Sequence, residues 1–165
     1  MERTLELTSS AFKHNGTIPA KYTCDGSREL SPPFTVSGVP EGTRSLALIM
    51  DDPDIPQAVT EARGIEVFDH WVLYNIPAPS AGVKKEILEG TSVGTAGLNS
   101  AGTEGYVGPC PPPHYEPREH HYVFTLYALD SLLSLGTGAT KGAVLDALKS
   151  MLIEKAELIG RYARE

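Results

Sequence analysis

The sequence predicts a mostly β protein, a two-sheet sandwich with an α-helix near the C-terminus, and three observations carry that reading. Short apolar runs recur between turn signals. Sixteen glycines and thirteen prolines are scattered between those runs rather than gathered into one tract, a punctuation that cuts a chain into short strands. Clear helical periodicity is confined to the stretch beyond residue 140. A chain of 165 residues can bury one sizeable core, so a single domain over 1–165 is expected.

In chain order the strand candidates are LEL at 5–7, IPAKYT at 18–23, FTV at 34–36, SLALIM at 45–50, HWVLYNI at 70–76 and YVFTLYAL at 122–129. Most are rich in β-branched and aromatic residues and bounded by Gly, Pro, Asp or Asn. Their near-continuous hydrophobicity suggests burial on both faces, as when a second sheet covers the first. The stretch 78–104 is small, polar and glycine-rich, and reads as one long ordered loop of the kind that often carries function. From 141 to 162, Val144, Leu145, Leu148, Met151, Leu152, Ala156 and Ile159 form one apolar stripe, with Thr140 as a fitting N-cap. A helix over 141–162 that buries this stripe against the sandwich is expected.

A formal charge of −7 argues against a nucleic-acid surface or a polybasic membrane patch. The opening MERTLELTSSAF lacks the apolar centre of a signal peptide, and no apolar run approaches a membrane span. The expectation is a cytoplasmic protein whose mature chain begins near Met1. Cys24 and Cys110 are the only cysteines. Two widely separated cysteines in a cytosolic chain are more often free thiols than a disulfide, so free thiols are expected. Neither lies in a CxxC pair, and no metal or other cofactor is expected.

Two strings carry chemistry. The segment 105–122, GYVGPCPPPHYEPREHHY, holds five of the thirteen prolines and three of the five histidines. Proline fixes φ and removes an amide donor, so this is a stiff loop and not a central strand. A loop ordered in advance loses less entropy when a ligand arrives. The second string, Asp51-Asp52-Pro53-Asp54-Ile55-Pro56, follows the apolar run SLALIM and puts three carboxylates at a strand end. It reads equally as a turn and as a site, but clustered carboxylates favour a cationic or hydrogen-donating neighbour. Histidine suits that role. His70 opens one strand candidate, and His120 and His121 lead into another. Strand alternation sends His120 and His121 to opposite faces and returns Tyr122 to the face of His120.

Taken in order, DPDxP, DHWVLYN, GYVGPCPPP and HHY resemble the phosphatidylethanolamine-binding protein family, which includes the Raf kinase inhibitor protein and the YbhB/YbcL-type members of bacteria and archaea. YTCDG at 22–26 and SPPFTVSGVP at 31–40 look like the prokaryotic branch. The resemblance implies an antiparallel β-sandwich with a small anion-binding pocket at one end. Asp52, Asp54, His70, Gly108, Pro111, Pro112, His120 and Tyr122 match the family's pocket motifs, while His114 and the following YEPRE fall to the rim. It also implies cis peptide bonds at prolines, Ile55–Pro56 being the first candidate. Two positions depart from the common pattern: His121 stands where arginine is usual, and Cys110 where eukaryotic members have glycine.

The function these readings favour is non-catalytic binding of a small anionic or phosphate-containing ligand, with backbone donors near Gly108 and imidazoles at His70 and His120. Modulation of a kinase or protease partner and a homodimer follow from the resemblance only. The alternative is a metal-assisted or acid–base hydrolase built on Asp52, His70 and His120, or on a Cys110–His120 nucleophile–base pair.

Overall fold

The structure, a computed structural model, describes residues 3–165; Met1, with which the mature chain is expected to begin, lies outside them. Strands β1 (Glu6–Thr8), β3 (Phe34–Ser37) and β6 (Lys85–Ile87) form a small sheet in the order β1-β3-β6. The large sheet runs β2-β9-β8-β4-β5-β7. Its members are β2 (Gly16–Thr17), β4 (Ser45–Asp52), β5 (Phe68–Pro77), β7 (Thr95–Ala96), β8 (Glu119–Leu129) and β9 (Leu152–Ala163). Pairing is antiparallel except between β2 and β9. Two helices complete the fold, α1 (Gln57–Arg63) and α2 (Lys141–Leu148).

The unbroken hydrophobicity of SLALIM has the cause expected for it. Leu46, Leu48 and Met50 face the small sheet and share a core with Phe34, Val36, Trp71 and Phe124. Ala47 and Ile49, pointing the other way, share a second core with Val72, Tyr74 and the α2 residues Val144 and Leu148. The central strands are thus covered on both faces, and alternation has no polar side to display.

Three expectations change. The helix begins where predicted, with Thr140 Oγ1 accepting from the Ala143 amide at 3.1 Å, but it ends at Leu148. Residues 152–163 form β9 and pair with β8 along its whole length, from Leu129↔Leu152 to Glu119↔Ala163. Leu158 and Tyr162 are buried at period two, whereas Leu152, a member of the supposed helical stripe, is 41% exposed. A short stripe spaced by four is also spaced by two, so periodicity alone did not separate the two readings over this half. Second, IPAKYT forms a 3₁₀ turn at Ala20–Tyr22 after Pro19, closed by Thr23 Oγ1 donating to Ala20 O at 2.9 Å. Third, 78–104 contains β6 and β7, strands of three and two residues that add to β3 and β5 respectively.

Gly160 sits where β9 passes under the N-terminal segment. A Cβ there would approach Ile18 Cγ1 at 2.5 Å and Phe12 Cε2 at 2.9 Å, both in the main core. Gly160→Ala is expected to destabilise the fold by about 1–3 kcal/mol through overpacking, read as a lowered urea midpoint with an unchanged m-value.

Candidate functional site

At one end of the large sheet, the exit of β4, the entry of β5 and the entry of β8 lie side by side. The register pairs Asp52 with Phe68 and Asp51 with Val123. The chain therefore delivers Asp52, His70 and His120 to one place. Asp52 is 3% exposed and both of its oxygens are engaged: Oδ1 accepts from the Asp54 amide at 2.8 Å, and Oδ2 from His120 Nδ1 at 2.6 Å. His120 Nε2 faces the Pro117 carbonyl at 2.9 Å. A carboxylate and a carbonyl can only accept, so both ring nitrogens must donate, and the geometry calls for an imidazolium. Burial works against the charged ring, but the hydrogen bond and charge of Asp52, helped by the Pro117 carbonyl and Asp54, outweigh it and hold the His120 pKa up.

His70 is set in the opposite state. Its Nδ1 donates to Val107 O at 2.7 Å, which leaves Nε2 as a lone-pair acceptor in the neutral ring. Burial pushes its pKa down to about 4, against the smaller pull of the Val107 carbonyl and Asp52. Its ring lies 4.7 Å from Phe68 and meets Tyr122 edge-on at 5.2 Å. Two imidazoles on neighbouring strands are thus driven apart in protonation by their hydrogen-bond partners.

These groups border a cavity of about 150 Å³. Of the residues expected from the sequence, Asp52, His70, Gly108, Pro111, Pro112 and His120 line it. Asp54 and Tyr122 do not. Asp54 Oδ2 instead accepts from the His121 amide at 2.7 Å and from His121 Nδ1 at 2.8 Å, a clasp on the solvent side. Tyr122 returns to the face of His120 as alternation requires, but it is fully buried behind the histidines and its hydroxyl has no partner among the described residues. Gly108 serves a different purpose from the one expected. A Cβ there would lie 2.3 Å from Tyr22 O, and its amide donates to Arg28 O at 2.7 Å, so its absent side chain lets two loops touch and its N–H is not free for an anion. His114, Tyr115, Glu116 and Arg118 are exposed and outside the cavity, as read from the sequence. The cis bond lies at Glu116–Pro117, and Ile55–Pro56 is not cis.

The cavity also holds residues that sequence reasoning missed. Arg28 and Arg63 line it, with Ile55, Pro56, Val59 and Phe68 supplying an apolar flank. Arg63 comes from α1, a helix of seven residues with none buried and hence no apolar stripe to read. Its Nη2 donates to Ser100 O at 2.7 Å, and its guanidinium sits 5.3 Å over the Phe68 ring. Arg28 lies in the polar turn CDGSRE, which looks like solvent-exposed loop. What places it is contact far along the chain: the Cys24 amide donates to Pro109 O at 3.0 Å.

At that contact the cysteine expectation fails. Cys24 and Cys110 form a disulfide across 86 residues, with Cα atoms 5.4 Å apart. Cys110 borders the cavity as half of a disulfide, which withdraws the thiolate that a Cys110–His120 nucleophile pair requires.

A sandwich that ends in a small cavity lined by two arginines and a buried histidine, with its carboxylate already engaged, defines a class: two-sheet β-sandwiches with a pocket at one end. The sequence profile of the phosphatidylethanolamine-binding protein family matches residues 8–163. A UPF0098 protein of Methanothermobacter thermautotrophicus is 42% identical, over 97% of this chain and 99% of its own. A phosphatidylethanolamine-binding protein homolog of Chlamydia trachomatis superposes with a TM-score of 0.87 at 38% identity, covering 99% of this chain and 100% of that one. YbcL of E. coli, a member of the mammalian family, superposes with a TM-score of 0.82 at 26% identity, with 99% and 100% covered. The chain belongs to the phosphatidylethanolamine-binding protein family and is of the YbcL type.

The two histidines make opposite contributions to stability. His70 has a folded pKa below its unfolded 6.5, so between about 6.5 and about 4 the unfolded chain binds the extra proton and stability falls as pH falls. The loss is on the order of 3 kcal/mol. His120 has a raised folded pKa; its contribution is complete below 6.5 and is lost as pH rises through the folded value. Urea titrations from pH 4 to pH 9 are expected to show both limbs, with His70→Gln flattening the acid one. Reduction of the Cys24–Cys110 bond, or a Cys24→Ala/Cys110→Ala pair, is expected to cost about 2–4 kcal/mol in the same assay.

Proposed function

We propose that this protein is a non-catalytic binding protein that takes a small anionic, phosphate-containing ligand in the cavity between His70, His120 and the 108–112 loop. One observation carries the reading. In a chain of net charge −7, the cations Arg28, Arg63 and His120 converge on one cavity, while Asp52, the carboxylate that lines it, is spent on internal hydrogen bonds. Guanidinium forks match the geometry of phosphate oxygens, and the apolar flank of Ile55, Pro56, Val59 and Phe68 suits whatever group the phosphate carries.

The hydrolase alternative loses its parts to the same hydrogen bonds. Both oxygens of Asp52 and both nitrogens of His120 are committed, and Cys110 is in a disulfide. A metal bound by Asp52, His70 and His120 requires an imidazole lone pair from each ring, of which only the one on His70 Nε2 is available, and no group of three or more His, Cys, Asp or Glu side chains is placed to hold a metal ion among the described residues. A kinase or protease partner and a homodimer rest on resemblance and are not part of this proposal.

As for location, no helix among the described residues is long and apolar enough to cross a membrane. A disulfide persists in oxidising compartments more readily than in the cytosol, which pulls against the cytoplasmic expectation.

Phosphate is expected to raise the thermal midpoint of the native protein in a saturable way, since a ligand that binds only the folded state adds about 2.7 kcal/mol at a hundred times its dissociation constant. Arg28→Gln and Arg63→Gln should each weaken the response at least about tenfold in concentration, the loss of one charge-assisted hydrogen bond. An unchanged response in both variants, or none in the native protein, rejects the assignment.

A further inference from the structure

We propose that His70 makes the cavity select anions that carry a proton: its Nε2 accepts the O–H of a hydrogenphosphate or of a monoanionic phosphomonoester, and proton-free sulfate of the same shape is rejected. The inference rests on the proposed function and adds the ligand's protonation state to it.

The argument is one of lone pairs. His70 lines the cavity, and its Nδ1–H is tied to the Val107 carbonyl at 2.7 Å. That bond fixes the tautomer, so Nε2 presents a lone pair and no proton. Nε2 has no hydrogen-bond partner among the described residues and, unlike the Tyr122 hydroxyl, is not sealed from solvent, so it remains reachable. His120, the other imidazole in the cavity, has no nitrogen to spare. A fully ionised oxyanion would set an oxygen lone pair against the lone pair of Nε2. An oxyanion with one O–H turns that repulsion into a hydrogen bond, while its remaining oxygens stay available to Arg28 and Arg63.

The ring can accept its own proton instead, and its surroundings decide how readily. Asp52 at the end of β4 favours protonation. The imidazolium of His120 on β8 and the guanidinium of Arg28 oppose it, and Arg63 of α1 adds a further positive charge to the same cavity. Tyr122 of β8 meets the ring edge-on, and Phe68 of β5 packs on it, so both keep water from solvating a charge there. At neutral pH the ligand must therefore bring the proton. Phosphomonoesters, with a second pKa of about 6, keep a protonated fraction near neutrality. Sulfate does not.

The test is anion calorimetry on the unmodified, oxidised protein, with inorganic phosphate, methyl phosphate and sulfate as probes at pH 4, 6 and 8 in buffers of differing ionisation enthalpy. At pH 6, phosphate is expected to bind roughly ten- to a hundred-fold more tightly than sulfate, the worth of one hydrogen bond to a charged partner. The gap closes toward pH 4 as His70 takes its own proton. At pH 8, methyl phosphate, whose dianion has no O–H, takes up about one proton on binding, seen as a buffer-dependent heat, whereas inorganic phosphate, whose dianion keeps one, has no need of it. His70→Gln, whose amide can donate, should bring phosphate and sulfate together. Sulfate bound within threefold of phosphate at pH 6, or methyl phosphate bound at pH 8 with no proton uptake, overturns the inference and leaves the anion pocket standing. Binding of none of the anions overturns both.

Discussion

The buried pair of Asp52 and His120 is the constraint on which the rest of the site depends. Two charges this far from water cost several kcal/mol each, and their mutual attraction repays that only when every remaining lone pair and proton has a partner. Here both carboxylate oxygens and both imidazole protons do. Asp52 Oδ1 takes the Asp54 amide, Oδ2 takes His120 Nδ1, and His120 Nε2 gives its proton to Pro117 O. Each bond reaches a different piece of chain: the turn after β4, the first residues of β8, and the end of the proline loop. The pair therefore closes the sheet end and holds the proline loop in place, and the exposed Asp54–His121 clasp repeats the tie between turn and strand one residue outward.

That coupling explains why the prolines and the carboxylates are informative as sequence. Alternation alone separated His120 from His121 and returned Tyr122 to the inner face, because a central strand with one face in the core allows no other register. The central strands were legible for the same reason: burial on both faces leaves an apolar run with no competing reading. What failed was the reading of elements whose apolar residues are few. Residues 152–163 carry an apolar spacing that fits a helix and a strand, and pairing with β8, a contact outside the segment, chose the strand. The strands β6 and β7 are too short to show a period.

Site residues divide along the same line. Asp52, His70 and His120 are picked out together by DPDxP, DHWVLYN and HHY, strings that resemble the family and lie beside apolar runs, although each alone also reads as a turn or a core residue. Arg28 and Arg63 do not, since a guanidinium in a polar turn or on an unburied helix is ordinary. Only contacts across the chain, Cys24 to Pro109 and Arg63 to Ser100, bring them to the cavity. The disulfide was illegible for the same reason: a separation of 86 residues gives no hint of two Cα atoms 5.4 Å apart.

The protein's net charge and its cavity pull in opposite directions, and their ranges decide which matters. A formal −7 repels an incoming anion at long distance, but at physiological ionic strength that field decays over about 8 Å. Arg28, Arg63 and the His120 imidazolium act at contact distance, beside buried walls that screen them less. For the anion proposed above, the acidic surface would slow encounter without setting the depth of binding, and added salt would relieve the first effect before it eroded the second. What such a cavity can discriminate is then a matter of hydrogen-bond polarity at the few atoms left unsatisfied. With Asp52 and His120 fully engaged with each other, His70 Nε2 is the cavity imidazole nitrogen left to make that choice.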